Sequence, residues 1–177
     1  LPKNNKVRIF TIILVFHFIF LQSCEKVKKD NFNFKKENFI QGKVIAIYDG
    51  DTYSLLTLDN KTLKVRMEGI DAPEREMPFY KASRKKLSDL IYKKRVYFDK
   101  TGEDIHGRSL GFTYLEDGTD VDIEMLKAGM VWHFKRYNDN PDYADAEDLA
   151  RDQKVGLWQD AYPEAPWTYR RNNRNNF

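Results

Sequence analysis

Asp49-Gly50-Asp51-Thr52, Arg66 and Asp71-Ala72-Pro73-Glu74 together offer four carboxylates and one guanidinium, groups able to bind a cation or one another. Carboxylates at the ends of apolar strands must be hydrated, paired with a cationic side chain or bound to a cation, because an ion removed from water without a partner is strongly destabilised. Each residue also has an ordinary structural role. Asp-Gly-Asp makes a plain turn, Asp71 before Ala72-Pro73 can cap one, and Arg66 can pair with Glu68 or Glu74 in a surface bridge of little energetic weight. What separates these readings is how the chain positions the side chains.

Residues 44–48 form a short β-branched run, residues 49–51 a turn, and residues 52–58 a returning strand. A turn at Asp59-Asn60 leads into a third strand over 62–70. In such a meander Asp51 sits where the first strand hands over to the second, and Asp71 just beyond the third. Neighbouring strand ends then bring two hard oxygen donors together. Residues 78–91 predict a helix with Pro78 in its first turn, Ala82, Leu87, Leu90 and Ile91 on its apolar face, and Lys81, Arg84, Lys85 and Lys86 toward water. Residues 95–99 and 109–115 alternate as fourth and fifth strands, separated by a polar loop over 101–108. A short helix over 122–128 has Asp120 or Asp122 as its N-cap and Gly129 as its stop. A longer one over 141–154 is acidic early and basic late, with Tyr143, Ala146, Leu149 and Ala150 on one side, and Gly156-Leu157-Trp158 closes it. The pattern predicts an α+β, mainly β fold: a five-stranded OB-fold barrel with about three helices packed on it. There is no internal repeat, and the Arg- and Asn-rich residues 170–177 read as a mobile tail.

Three motifs in order, Asp49-Gly50-Asp51-Thr52, Arg66-Met67-Glu68-Gly69-Ile70-Asp71-Ala72-Pro73-Glu74 and Asp104-Ile105-His106-Gly107-Arg108, closely resemble those of the staphylococcal nuclease (thermonuclease) family. The resemblance runs from about residue 42 to 158. It implies a calcium-dependent nuclease that hydrolyses phosphodiester bonds of DNA and RNA, leaving a 3'-phosphate and a 5'-hydroxyl. By the same resemblance, Asp51, Asp71 and the backbone carbonyl of Ala72 hold the calcium ion, with Asp49 supporting that site from behind. Glu74 orients or deprotonates the attacking water, and Arg66 and Arg108 hold the phosphate. His106 stands where the founding nuclease has a tyrosine, so an imidazole is offered for nucleotide stacking. Tyr137, in the aromatic and basic run Trp132-His133-Phe134-Lys135-Arg136-Tyr137, is the other candidate for nucleotide contact.

The residue chemistry agrees with that implication. Phosphodiester hydrolysis needs a water nucleophile, neutralisation of charge on the phosphoryl oxygens and a stabilised leaving oxygen. A planar guanidinium bonds two phosphate oxygens at once, which a lysine does not. A ligand set of carboxylates and a carbonyl, without cysteine or a clear histidine, disfavours soft and borderline metals. Magnesium and calcium both remain on ligand type, and the resemblance decides for calcium. The alternative is a binding module, since related domains in some larger proteins keep the barrel, lose the acids and bind nucleic acid or modified peptide. Retention of Asp51, Asp71, Glu74, Arg66 and Arg108 together favours the enzyme.

Lys3, Lys6 and Arg8 precede an apolar run over 10–21, which with Leu21-Gln22-Ser23-Cys24 reads as a signal peptide with a lipobox over 1–23. Cys24 is the only cysteine, so its thiol is free, intermolecular or modified, and the lipobox points to lipidation. Residues 24–38 read as a flexible tether, 39–160 as the nuclease-like domain and 161–177 as a C-terminal tail. The expectation is an exported monomer, lipid-anchored to the bacterial envelope and acting on DNA and RNA without a protein partner. Three of the 30 Lys and Arg and none of the 27 Asp and Glu lie in residues 1–23, so the remainder carries no net charge. Bulk charge therefore does not argue for a nucleic-acid partner, and any polyanion site must be local.

Overall fold

In chain order the computed structural model, which describes residues 39–173, contains β1 (Ile40–Ile47), β2 (Thr52–Thr57), β3 (Thr62–Met67), β4 (Ile70–Asp71), α1 (Tyr80–Ile91), β5 (Arg95–Glu103) and β6 (Ser109–Tyr114). There follow α2 (Val121–Lys127), β7 (Trp132–His133), α3 (Pro141–Asp152), a 3-10 turn (Gly156–Gln159) and α4 (Pro166–Asn172). Residues 1–23, read above as a signal peptide with a lipobox, Cys24, residues 24–38, read as a tether, and residues 174–177 lie outside the described residues. Among those described, no helix is long and apolar enough to cross a membrane.

Five strands close a barrel in the order β1-β2-β3-β6-β5. Val44, Tyr53, Leu55, Val65, Met67, Val96 and Phe98 fill it, joined by Leu87 and Ile91 of α1 and Met125 and Leu126 of α2. Full burial of each such side chain contributes about 1.5–3 kcal/mol relative to exposure. The pairs are antiparallel except β3 with β6, which run parallel in the register Arg66 to Leu110. That closure sets Arg66 beside the loop that ends at Arg108. A separate two-stranded sheet pairs Asp71 of β4 with Trp132 of β7.

Several local expectations change. Residues 62–70 are not one strand: the chain leaves the barrel at Glu68-Gly69 and Asp71 belongs to β4. A Cβ at Gly69 would stand 2.5 Å from Tyr143 Cε1, so α3 packs directly on this backbone. β5 continues to Glu103 through an irregularity between Lys100 and Gly102, which shortens the polar loop. On α1 the buried stripe is Ser83, Leu87 and Ile91. Ala82 is exposed because that spacing, not Ala82, faces the barrel. On α3 Leu149 is 49 % exposed and Glu147 takes the buried place, accepting from the His133 backbone N–H at 3.1 Å. Asp120 is the N-cap of α2, accepting from the Ile123 N–H at 3.1 Å.

At the C-terminus, composition predicts a tail over residues 161–177. Residues 166–172 instead form a fourth helix, with Pro166 in its first turn. Trp167 stacks on Phe134 with ring centroids 5.4 Å apart and meets Trp132 edge-on at 5.6 Å. This aromatic contact seats a segment whose composition alone reads as unstructured.

Candidate active site

The turn after β1 is built by its own side chains. Asp49 Oδ1 accepts the Asp51 N–H at 3.0 Å, an Asx-type closure. A Cβ at position 50 would collide with Ser83 Oγ of α1 and lie 2.9 Å from Ala72 Cβ. Only glycine lets the two acidic loops and α1 approach this closely.

Register then delivers the remaining groups. Thr52 of β2 pairs with Arg66 of β3, and the Met67 N–H donates to the Asp51 carbonyl at 2.9 Å. Asp51 Oδ2 accepts from the Ala72 N–H at 2.7 Å, tying the two acidic motifs together across 21 residues. The Arg66 guanidinium lies between the acids, with Nε 3.2 Å from Asp51 Oδ1 and Nη2 2.9 Å from Asp71 Oδ1. Its Nη1 donates to the carbonyls of Met67 and, at 2.7 Å, Ile70. Asp71 is 1 % exposed, held in β4 by its pairing with Trp132.

Asp49, Asp51, Arg66, Asp71, Ala72, Glu74, Arg108 and Tyr137 line one cleft of about 560 Å³. His106 is not among its lining residues: it is exposed at the outer turn of the 104–108 loop, and its backbone N–H donates to Asp104 Oδ1 at 2.9 Å. Arg108 points inward with Nε on Asp104 Oδ2 at 2.7 Å. Among the described residues its two terminal nitrogens have no hydrogen-bond partner. Tyr137 is 55 % exposed at the rim, edge-on to Phe134 at 4.9 Å.

Arg170 is the residue that sequence reasoning missed. It lies outside the three motifs, and the only signals for its helix were Pro166 and Trp167. From α4 its Nη2 reaches Asp71 Oδ2 at 2.7 Å, and its Nη1 reaches Asp71 Oδ1 at 3.2 Å and Glu74 Oε1 at 2.6 Å.

The electrostatics follow from burying acids side by side. Burial, reinforced by the charge of Asp51, pushes the Asp49 carboxyl up to about 7, against the Asp51 N–H and Arg66. Burial also holds Asp71 above the ordinary carboxylate range, against Arg170 and Arg66. Asp104 behaves oppositely: a burial penalty is outweighed by the Arg108 N–H and guanidinium and the His106 N–H, which hold it at about 2. The four carboxylates Asp49, Asp51, Asp71 and Glu74 thus outnumber the two guanidiniums, Arg66 and Arg170, that pair with acids there.

The donor chemistry fits a hard cation, because Asp51, Asp71 and the Ala72 backbone supply only oxygen. Among the described residues no group of three or more acidic, histidine or cysteine side chains gathers round one point. Such an ion would therefore have few protein ligands and would keep several waters.

The staphylococcal nuclease homologue family model matches residues 64–160, more than half of the chain. An uncharacterized endonuclease of Haemophilus influenzae is 35 % identical over 173 residues, covering 98 % of this chain and 89 % of its own. An uncharacterized endonuclease of Escherichia coli O157:H7 is 36 % identical over 131 residues, or 74 % and 85 % of the two chains. The micrococcal nuclease of Shigella flexneri is 33 % identical over 145 residues, or 76 % and 83 %. With the barrel, the cleft and these likenesses in agreement, the chain belongs to the staphylococcal nuclease family and is a hydrolase of the nuclease class.

Proposed function

We propose that the protein is a calcium-dependent nuclease that hydrolyses phosphodiester bonds of DNA and RNA to 3'-phosphate and 5'-hydroxyl ends, held at the cell envelope by lipid on Cys24. The observation that carries the catalytic part is the convergence of Asp51, Arg66, Asp71, Glu74 and Arg108 on one cleft. Asp51, Asp71 and the Ala72 carbonyl would hold the calcium ion, which when bound supplies positive charge against the phosphate. Glu74, partly exposed at the cleft, accepts a proton from a water or orients it for attack. Arg108 is anchored through Nε alone, so its terminal nitrogens are available to two phosphoryl oxygens as charge builds on them. Arg66 is committed to the acids and keeps their geometry while adding charge to the same face. The exposed ring of Tyr137 offers a stacking face that tolerates any base.

Cleavage of end-labelled DNA and RNA oligonucleotides in calcium, with and without chelator, tests this reading. Chelator is expected to abolish cleavage, and the products are expected to accept a 5'-phosphate from a kinase directly and to resist ligation to one another until the 3'-phosphate is also removed. Turnover that survives exhaustive chelation would exclude the metal. The lipid anchor is tested separately: Cys24→Ala is expected to move the protein from the detergent-extracted membrane fraction to the soluble one with cleavage unchanged. Several acyl chains hold far more firmly than one. An alanine variant that still pellets after a high-salt wash would rule out anchoring through Cys24.

A further inference from the structure

Arg170 occupies the carboxylates that a cation would need. Its two terminal nitrogens bracket Asp71, 2.7 Å from Oδ2 and 3.2 Å from Oδ1, and one of them also sits 2.6 Å from Glu74 Oε1. Arg66 takes Asp71 Oδ1 from the other side at 2.9 Å. Both oxygens of a carboxylate that is 1 % exposed are therefore engaged by guanidinium N–H groups. Three hydrogen bonds thus fill most of the carboxylate's roughly four acceptor sites, and a divalent ion bound to Asp71 would sit directly against a like charge unless that charge moves away. Arg66 is enclosed, its side chain 12 % exposed, and tied to two backbone carbonyls, whereas the Arg170 side chain is 38 % exposed. Arg170 is the one that can swing out, because water rehydrates its charge as the ion pair is lost.

We propose that Arg170 is a built-in counter-cation: the guanidinium and a divalent ion are alternative occupants of the Asp71 carboxylate, so metal binding releases Arg170 and with it frees Glu74. The inference rests on reading Asp51 and Asp71 as the cation site. Its physical basis is linkage. Two ligands that compete for one group weaken each other by the same factor, so Arg170 lowers calcium affinity as much as calcium loosens Arg170. Trp167, packed on Phe134 and Trp132, keeps α4 on the domain while its last turn exchanges position. Metal-free protein then holds no naked acid cluster in the cleft, and Glu74 becomes available as a base only when the ion arrives.

The test is calorimetric titration with calcium chloride alone, without nucleic acid, on the wild-type protein and on Arg170→Gln, each first checked by thermal melting. The glutamine variant is expected to bind calcium at least about fivefold more tightly, the low end of ordinary coupling between sites. Hydrogen exchange on the unmodified protein supplies a readout that needs no variant. Amides of residues 168–172 are expected to exchange faster once calcium is added. Equal or weaker calcium binding by Arg170→Gln, or exchange in 168–172 unmoved by saturating calcium, would overturn the competition while leaving the metal site intact. Failure of both proteins to take up calcium would overturn the metal reading and this inference with it.

Discussion

Replacing Glu74 with glutamine is expected to lower kcat by about 10²–10⁴-fold, the range that a positioned general base contributes. The amide keeps the size and one acceptor oxygen, so Arg170 can still donate to it, now to an uncharged acceptor. What disappears is basicity and negative charge where the attacking water must be held. The loss should therefore fall on the chemical step, with oligonucleotide affinity and melting temperature near those of the wild type. Single-turnover cleavage in saturating calcium separates binding from chemistry. A glutamine variant that cuts within a few-fold of the wild-type rate would take Glu74 out of the reaction.

Arg66→Met is expected to show a second large effect, this time on stability. The guanidinium bridges Asp51 and Asp71, whose side chains are 7 % and 2 % exposed. Removing one partner of a buried ionic cluster leaves charge uncompensated, at about 3–5 kcal/mol. It also frees the Met67 and Ile70 carbonyls that carry the chain from β3 into β4. For a domain of this size that corresponds to a fall in Tm of roughly 6–20 °C. Arg108→Lys is the control in the same melting series. Asp104 keeps its bonds from the Arg108 and His106 backbone N–H groups whatever the side chain, so this loop should melt with the wild type. Thermal melting in chelator reads both, and an Arg66→Met protein as stable as the wild type would show that the acids need no guanidinium between them.

The contrast between the two arginines was only partly legible in the chain, where Arg66 falls on a strand beside the acidic turn and Arg108 in a polar loop. Arg66 and Arg108 each stand in a motif with acids nearby, and residue type alone makes them equivalent phosphate ligands. The parallel pairing of β3 with β6 places both at one end of the barrel. Burial then decides that Arg66 is bound on every side while Arg108 keeps free nitrogens.

Local interactions are written directly into the order of residues. Alternating apolar residues and the turns at Asp49-Gly50 and Asp59-Asn60 specify the meander, and the Asp120 cap starts α2 as its spacing indicates. The three acidic and basic motifs carry the candidate chemistry because each is contiguous. Which of these groups meet depends on long-range packing. The β4–β7 pair set Trp132 against Asp71, Glu147 rather than Leu149 turned inward, and His106 was left outside the cleft. Above all, Arg170 reaches Asp71 across 99 residues. No periodicity encodes such a contact: a charge seeks whatever opposite charge the packing of distant aromatic side chains brings within reach, and that packing exists only once the chain has closed on itself.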